Sequence, residues 1–351
     1  MNNPAPRSSF FEKIRDFSDD YMPGGGILRG LGGLLALYLL ICVGLGIYWS
    51  MAPEPFDVRE RASLYASEEN GQLVTGSVTT AALMGVMDTL LEKPGGYLHN
   101  DIFPPGLWLD NIPNWEYGAL IQSRDLARAL REVFSRSQSQ STEDKDLALA
   151  EPRFNFQSDS WMLPATESEY KAGLAYTRSY FHRLSDPGVT DGQFYARADN
   201  LRYWLTIVDT RLGSLSQRLT ASVGQRRINT DLAGDSVASQ STGTPGDMIV
   251  KTPWNEIDDV FFEARGASWA LIHFLKAAEV DFADVLEKKN ATVSLQQIIR
   301  ELEATQETVW SPMILNGTGF GFLANHSLVM ASYISRANAA IIDLRDLLAQ
   351  G

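Results

Sequence analysis

The longest apolar segment of the chain lies near its N-terminus. Residues 30–53 carry no charged side chain, and Leu, Ile, Val and Gly dominate residues 31–49. About 20 apolar residues in a helix span the ~30 Å hydrocarbon core of a bilayer. Tyr48 and Trp49 stand at one end, where amphipathic aromatic rings favour the headgroup region. The pattern predicts a single transmembrane helix over residues 27–52.

A cleaved signal peptide is the alternative for this segment, because residues 50–52 loosely satisfy the small-residue cleavage rule. The apolar run is longer than the roughly 7 to 15 residues of a signal-peptide core, and a long polar region precedes it. We therefore predict an uncleaved signal anchor behind a short cytoplasmic tail, residues 1–26. Within this tail Phe10, Ile14 and Phe17 fall on one face of a possible amphipathic segment.

Charge gives the predicted orientation and excludes one class of partner. Three basic residues precede the apolar segment closely and two follow it, which favours a cytoplasmic N-terminus. Residues 1–29 contain four basic and four acidic side chains, so the net charge of −13 belongs entirely to the rest of the chain. No Lys/Arg cluster exists that would follow a phosphate backbone, and we expect no nucleic-acid partner. We predict that residues 53–351 form a periplasmic domain at a bacterial inner membrane.

Small residues recur four positions apart along the predicted membrane helix. They are Gly26 and Gly30, then Gly32 and Ala36. This spacing lets two helix backbones approach closely, which makes a homo-oligomer through this face one hypothesis. Glycine is also common in single membrane helices, so the pattern alone does not decide.

From about residue 79 onward the apolar spacing is mostly helical, which predicts a mostly α, bundle-like exported domain. Two stripes with a period near 3.5, over residues 170–184 and 201–219, flank an Asp-Pro-Gly turn at residues 186–188. We interpret the two stripes as a long antiparallel hairpin with coiled-coil-like packing.

Further elements follow from caps and composition. A helix with Thr252 as N-cap and Pro253 at its first position is apolar on two faces and is expected at the centre of the domain. A last helix is predicted over residues 327–349. Shorter helices are predicted over 79–92, 115–135 and 294–309, extended runs that form at most a minor sheet over 73–78, 154–157 and 248–251, and solvated loops near 135–146 and 227–247.

Patterns that suggest catalysis have ordinary explanations here. Ser168-x-x-Lys171 lies in a predicted helix start, and residues 266–270, which resemble a nucleophile elbow, lie inside a predicted helix. Asp259 and Glu263 are four apart, as metal ligands can be, but a solvated helix face explains them as well. One cysteine and four histidines leave little for a metal site. The sequence leans towards a protein that is not an enzyme, with no cofactor.

Two segments are candidates for a ligand or partner surface. One is stiffened by prolines and rich in aromatic side chains, which lose little conformational entropy on binding. The other is a glycine-rich loop that leads into the last helix, whose N-terminus favours anionic or carbonyl groups. The alternative is packing, with the first segment wrapped over the core and the loop packed under its own phenylalanines. The candidate residues are Trp108, Asn114, Trp115, Gly319, Asn325 and His326.

Three segments, residues 109–116, 194–201 and 316–345, carry a resemblance to a known family. Over nearly its whole length the chain resembles an uncharacterised family of proteobacterial single-pass membrane-anchored proteins with a domain of unknown function. The resemblance implies a Gram-negative envelope protein and supplies no activity or catalytic residue.

Three functions remain open at this point. The leading hypothesis is a non-enzymatic periplasmic interaction or scaffold protein, anchored in the inner membrane, that binds an envelope protein partner. A second is a cell-wall glycan hydrolase whose two carboxylates, about 5–9.5 Å apart, are distant in sequence. A third is a carrier of apolar cargo, which requires a large unfilled cavity.

Overall fold

The computed structural model describes residues 26–68, 71–137, 142–189, 191–228, 247–311, 313–318 and 320–350. The predicted amphipathic segment, Gly319 and most of the predicted loop near 227–247 lie outside the described residues. Helix α1, Gly26–Trp49, covers the predicted membrane segment. In the described part of the chain, Gly30–Trp49 is the one helical stretch long and apolar enough to cross a bilayer, with a mean hydropathy of 2.3.

The rest of the described chain is mostly helical, as the apolar spacing predicts. One contiguous cluster of buried apolar side chains runs from Val58 to Leu348. A π-helical turn, Leu130–Phe134, directly follows the helix Asn111–Ala129. The helices after α1 are α2 (Val58–Glu68), α3 (Ser77–Glu92), α4 (Asn111–Ala129), α5 (Leu147–Phe154), α6 (Thr166–Ser185), α7 (Ala198–Thr220), α8 (Ile257–Asp281), α9 (Ala283–Lys288), α10 (Thr292–Glu303) and α11 (His326–Ala349).

The β structure of the described residues is one short antiparallel pair. Strand β1, Gln225–Ile228, pairs with β2, Asp247–Val250. The prediction of a minor β element is therefore confirmed. The other two extended runs are not strands, because α3 already begins at Ser77 and α5 ends at Phe154. A short apolar run fits the end of a buried helix as well as it fits a strand.

Helices α4 and α8 lie at the centre of the domain with their backbones in close contact. A Cβ atom at Gly118 of α4 would overlap the carbonyl oxygen of Glu263 on α8. Reciprocally, a Cβ atom at Gly266 of α8 would overlap the carbonyl oxygen of Trp115 on α4. Buried side chains cover both faces of α8, as predicted for a central helix.

Helix α8 begins later than predicted. Thr252 and Pro253 precede a 3₁₀ turn, Trp254–Glu256, and the α-helix starts only at Ile257. Pro253 has an extended backbone, with φ −54° and ψ 146°. Proline fixes φ but not ψ, so this residue leads the chain into the turn instead of opening the helix.

The predicted hairpin between α6 and α7 is wrong. The apolar stripe on α7 is buried, but its main partner is α11, while α6 packs on α3 and α5. Helices α7 and α11 are antiparallel, since Ser216 pairs with Ser335 and Asp209 with Arg345. Periodicity identifies a buried face and not its partner, and the long connection over residues 186–197 lets the two helices separate.

Part of the predicted loop near 135–146 holds a buried ion pair. Arg183 on α6 is 9% exposed, and its Nη2 atom lies 2.7 Å from a carboxylate oxygen of Asp144 and of Asp146. Removing one partner from a buried ion pair is strongly destabilising. The polar composition of the segment thus reflects an ordered contact with the domain and not only solvation.

Replacing Gly118 by Ala should destabilise the protein, because the new methyl group overlaps the α8 backbone, which cannot move as a side chain can. Overpacking of this kind typically costs about 1–3 kcal/mol. Urea unfolding of the full chain in detergent, followed by circular dichroism, measures the change.

Gly213→Ala is the matched control. Gly213 lies on α7, and a Cβ there would be an ordinary 3.7 Å from Asn338 Nδ2. Replacing a helical glycine by alanine without a clash stabilises by about 0.4–1 kcal/mol. Equal stability of the two variants would contradict close packing of α4 on α8.

Candidate functional site

An open cavity of about 680 Å³ lies between α8, α11 and the segment that follows α10. Its volume is within the usual range of ligand sites, about 300–1,000 Å³. The lining is mostly apolar, and it comes from three parts of the chain that are far apart in sequence. Phe261 belongs to α8, Val309 and Trp310 to the connecting segment, and Met330 and Tyr333 to α11.

Arg265 holds one wall of this cavity. Its guanidinium donates to the carbonyl oxygens of Gln306 at 2.8 Å and Glu307 at 2.9 Å, and the Gln306 side chain donates back to the Arg265 carbonyl at 3.1 Å. Burial lowers the pKa of the Arg265 guanidinium, although arginine keeps its charge in proteins. Because this guanidinium is already bonded to the wall, a ligand would meet mainly apolar surface.

Of the two neighbouring residues predicted as site residues, His326 lines the cavity at the first turn of α11, and Asn325 immediately precedes that helix. The Asn325 side chain accepts the N–H of Leu328 at 3.0 Å and donates to the carbonyl of Gly317 at 2.5 Å. Asn325 is therefore the N-cap of α11. Nδ1 of His326 accepts the N–H of Leu315 at 3.0 Å, so Nε2 carries the proton of a neutral ring. The His326 ring lines the cavity.

Large apolar side chains are exposed in the segment that borders the cavity. Trp310 is 93% exposed, and Phe320 and Phe322 are fully exposed. A backbone hydrogen bond from the Gly317 N–H to the Ala324 carbonyl, at 3.0 Å, closes the loop that carries the two phenylalanines. Because both rings are fully exposed, the alternative that the loop packs under its own phenylalanines is wrong. Clusters of exposed apolar side chains mark interaction sites more often than chance.

The structure does not place the aromatic segment in this cavity. The chain enters α4 at Asn111, so Trp115 is a fully buried helical residue whose ring centroid lies 5.0 Å from that of Trp269. Trp115 is thus a core residue, and its predicted place on a partner surface is wrong. A helix can start here because Pro113 lies in the first turn, where its missing N–H is not needed.

The other two residues of that segment have separate environments. Asn114 is half-buried, and its side chain donates to Asp259 of α8 at 2.7 Å. Trp108 is 53% exposed and ends the 3₁₀ turn Gly106–Trp108. Pro105 and Leu109 flank that turn and pack against α1 at Gly46.

The small residues of the predicted dimer face belong to the first half of α1. Gly26 begins the helix. Gly30 and Ala36 are exposed, Gly32 is half-exposed, and apart from the neighbouring backbone of α1 no described atom lies within 4 Å of a Cβ position at Gly30. A homo-oligomer through this face stays a prediction.

The residues of the catalytic-looking patterns have structural partners or are buried. Ser268 is fully buried in the middle of α8 and does not lie at a turn from a strand into a helix. Asp259 is bonded to Asn114, and Glu263 is paired with Arg218. The described residues contain no group of three or more His, Cys, Asp or Glu side chains suited to a metal ion.

Polar side chains line a smaller pocket of about 240 Å³, and of these the sequence patterns singled out Glu263 but not Gln122 or Arg211. Gln122 is 1% exposed, and neither atom of its amide has a hydrogen-bond partner in the described chain. The arginines beside it are already paired, Arg211 with Asp125 and Arg218 with Glu263. A buried water is the usual partner of such an amide.

One comparison with known proteins identifies the family. A family model described as an uncharacterized protein conserved in bacteria, DUF2333, matches residues 23–351. The chain belongs to the DUF2333 family. No curated protein and no solved structure matches it. The DUF2333 match includes α1 together with the helical domain, so the apolar helix is part of the family pattern.

Carboxylates crowd the start of α8 in this DUF2333 member. Burial, then the charges of Asp258 and Asp110, raise the pKa of Asp259 to about 6. The folded state thus favours the protonated carboxyl. The stabilisation from that proton is complete below about pH 4 and is lost as the pH rises through about 6.

Asp259→Asn should therefore stabilise the protein at pH 7.5 and have little effect at pH 4, because Asn keeps the acceptor for Asn114 without the charge. Urea unfolding at the two pH values measures this difference. Asp343→Asn, at an exposed position on α11, is the control for the loss of one negative charge. A destabilised Asp259→Asn variant at pH 7.5 would contradict the argument.

Proposed function

We propose that this protein is a membrane-anchored interaction protein that binds an apolar segment of a partner polypeptide. Its α1 helix is a signal anchor in the bacterial inner membrane, with the N-terminus in the cytoplasm and the helical domain in the periplasm. The observation that carries the proposal is the open apolar cavity with the exposed Trp310 at its edge.

The environment of α1 supports an uncleaved anchor. Leu34, Leu40 and Ile47 are more than half exposed, and such side chains need a lipid environment to be covered. Cleavage near residue 52 would also remove Trp49, whose ring packs on Gly95 of the domain. The excess of basic residues on the N-terminal side supports the cytoplasmic position of that end.

The chemistry of the cavity favours a polypeptide partner. Tryptophan and tyrosine are enriched among the residues that dominate binding energy, and Trp310 and Tyr333 both line this cavity. The open shape lets a partner side chain enter while its backbone stays outside. The exposed Phe320 and Phe322 extend the apolar surface along the neighbouring loop.

The two alternative functions need other features. Glu307 is the one carboxylate among the described residues that line the cavity, whereas glycan hydrolysis there requires a pair. A carrier of apolar cargo would use the same cavity with a lipid in place of a partner side chain. The experiments below separate these possibilities from polypeptide binding.

The topology predicts that a reporter enzyme fused after Gly351 is active only in the periplasm, and that the protein stays in the membrane pellet after a carbonate wash. A reporter that needs the periplasm for its activity should be inactive when it is fused before Met1, because that end is predicted to lie in the cytoplasm. A soluble mature form that begins near Pro53 would contradict the signal anchor.

A photo-crosslinking amino acid at Trp310 should give a discrete polypeptide adduct in cells, which mass spectrometry identifies. With that partner purified, Trp310→Ala should weaken binding by about 10-fold or more, as expected for an exposed tryptophan that a partner covers. The melting temperature should not change, because Trp310 is exposed.

Val293, 76% exposed on α10, is the matched control for both measurements. A crosslinker there should give no such adduct, and Val293→Ala should leave the affinity unchanged. Lipid adducts alone at position 310 would favour the carrier. Cleavage of purified cell-wall glycan by the full chain would favour the hydrolase.

A further inference from the structure

The last two turns of α1 pack against the domain. In residues 42–49, the buried or half-buried positions are Cys42, Gly46 and Trp49. They are spaced i, i+4 and i+7, so they share one face of the helix. The ring of Trp49 lies against Gly95, whose φ of 87° suits glycine. The contact leaves the other faces of α1 exposed.

The contact at Gly46 fixes the position of one loop relative to α1. A Cβ atom there would lie 3.7 Å from Pro105 Cβ and 3.8 Å from Leu109 Cδ2. Gly46 precedes Trp49 by three residues, and a helix rises ~1.5 Å per residue. Pro105 and Leu109 therefore lie beside the last turn of the apolar stretch, on the bilayer side of Trp49.

Residues 102–108, which we name loop A, expose apolar side chains on both sides of this contact. Phe103 is 71% exposed, and Ile102, Leu107 and Trp108 are exposed as well. No lysine or arginine occurs in residues 94–123, so loop A has no basic group of its own for an anionic headgroup.

Residues 161–163, which we name loop B, present a second exposed apolar group next to loop A. Trp161 and Met162 are about half exposed, and Leu163 is 90% exposed. The Asn100 side chain donates to the carbonyl of Ser160 at 2.9 Å, which ties loop B to the chain just before loop A. Residues 154–170 also contain no lysine or arginine.

We propose that loops A and B insert into the interfacial layer of the bilayer that α1 spans, and thus form a second, lipid-binding surface. The proposal rests on the membrane anchoring of α1 proposed above. Its ligand is the boundary between headgroups and acyl chains of a zwitterionic lipid, recognised by apolar burial and by the indole rings of Trp108 and Trp161. Tryptophan is enriched at this depth because its ring is apolar and its N–H is polar.

The position of the loops favours lipid over a protein occupant. An apolar surface that lies in the interface is typically buried about 5–10 Å into the headgroup and acyl boundary. Loop A is already at that level, because the residues within it and next to it contact Gly46 inside the apolar stretch of α1. When α1 spans a bilayer, lipid is the medium that surrounds this level.

The test uses the full chain in vesicles of phosphatidylcholine, in a Cys42→Ala background that leaves no native cysteine. A fluorescent label is attached to a single cysteine in the Phe103→Cys or Leu163→Cys variant. Leu149→Cys is the matched control, because Leu149 is 50% exposed on α5 and its neighbour Glu151 pairs with Arg131, near the far end of α4.

Brominated phosphatidylcholine should quench the labels at positions 103 and 163 several-fold more than the label at 149. Aqueous iodide should show the opposite order. If iodide quenches all three labels equally, or if neither agent quenches 103 and 163, then water or protein covers the loops and the proposal is wrong. A carbonate wash of the same vesicles tests independently whether α1 anchors the protein, so loss of anchoring and loss of loop insertion are distinguishable.

Discussion

The close approach of α4 and α8 is the contact on which the rest of the domain depends. Gly118 and Gly266 each face the other helix's backbone, which leaves no room for a side chain at either position. This contact brings the starts of the two helices to the same end of the domain, where Asn114 bonds to Asp259. It also buries Trp115 against Trp269. The cavity follows from it, because Phe261 and Arg265 are presented by the same stretch of α8.

A buried ion pair connects this centre to α1. Glu116 lies on α4 between Trp115 and Gly118, and it is paired with Lys93, which follows α3. The same carboxylate accepts the backbone N–H groups of Leu98 and His99. Burial raises the pKa of Glu116, and the ammonium group and these donors oppose that change. The Glu116 carboxylate thus fixes residues 93–99, the segment that contacts Trp49, and it has the several partners that a buried charge requires.

Local patterns predicted most helices but not their arrangement. The N-terminal apolar helix, the last helix and the two-faced central helix follow from runs and periods that lie within one segment. The packing partner of α7 could not be predicted in this way, because an apolar stripe identifies which face of a helix is buried but not what covers it. The long connection between α6 and α7 leaves the choice of partner to tertiary packing. Most of the cavity could not be predicted from the sequence either, because Phe261, Trp310 and Tyr333 are separated by tens of residues and only the fold brings them together. The start of the last helix at Asn325 and His326 was predictable because a helix cap is a local signal. Trp115 was misplaced because an aromatic residue after prolines suits an exposed binding surface and a helix start equally.

The contact between Trp49 and Gly95 has a mechanical consequence. A domain tethered by a flexible linker would sample many heights and orientations above a membrane, but here α1 and the domain share a packed face. In a bilayer, a tilt of α1 would therefore rotate the domain with it, and local thickness would set the direction in which the cavity opens. Partner encounter would then be a search in the plane of the membrane, restricted to molecules that reach one height.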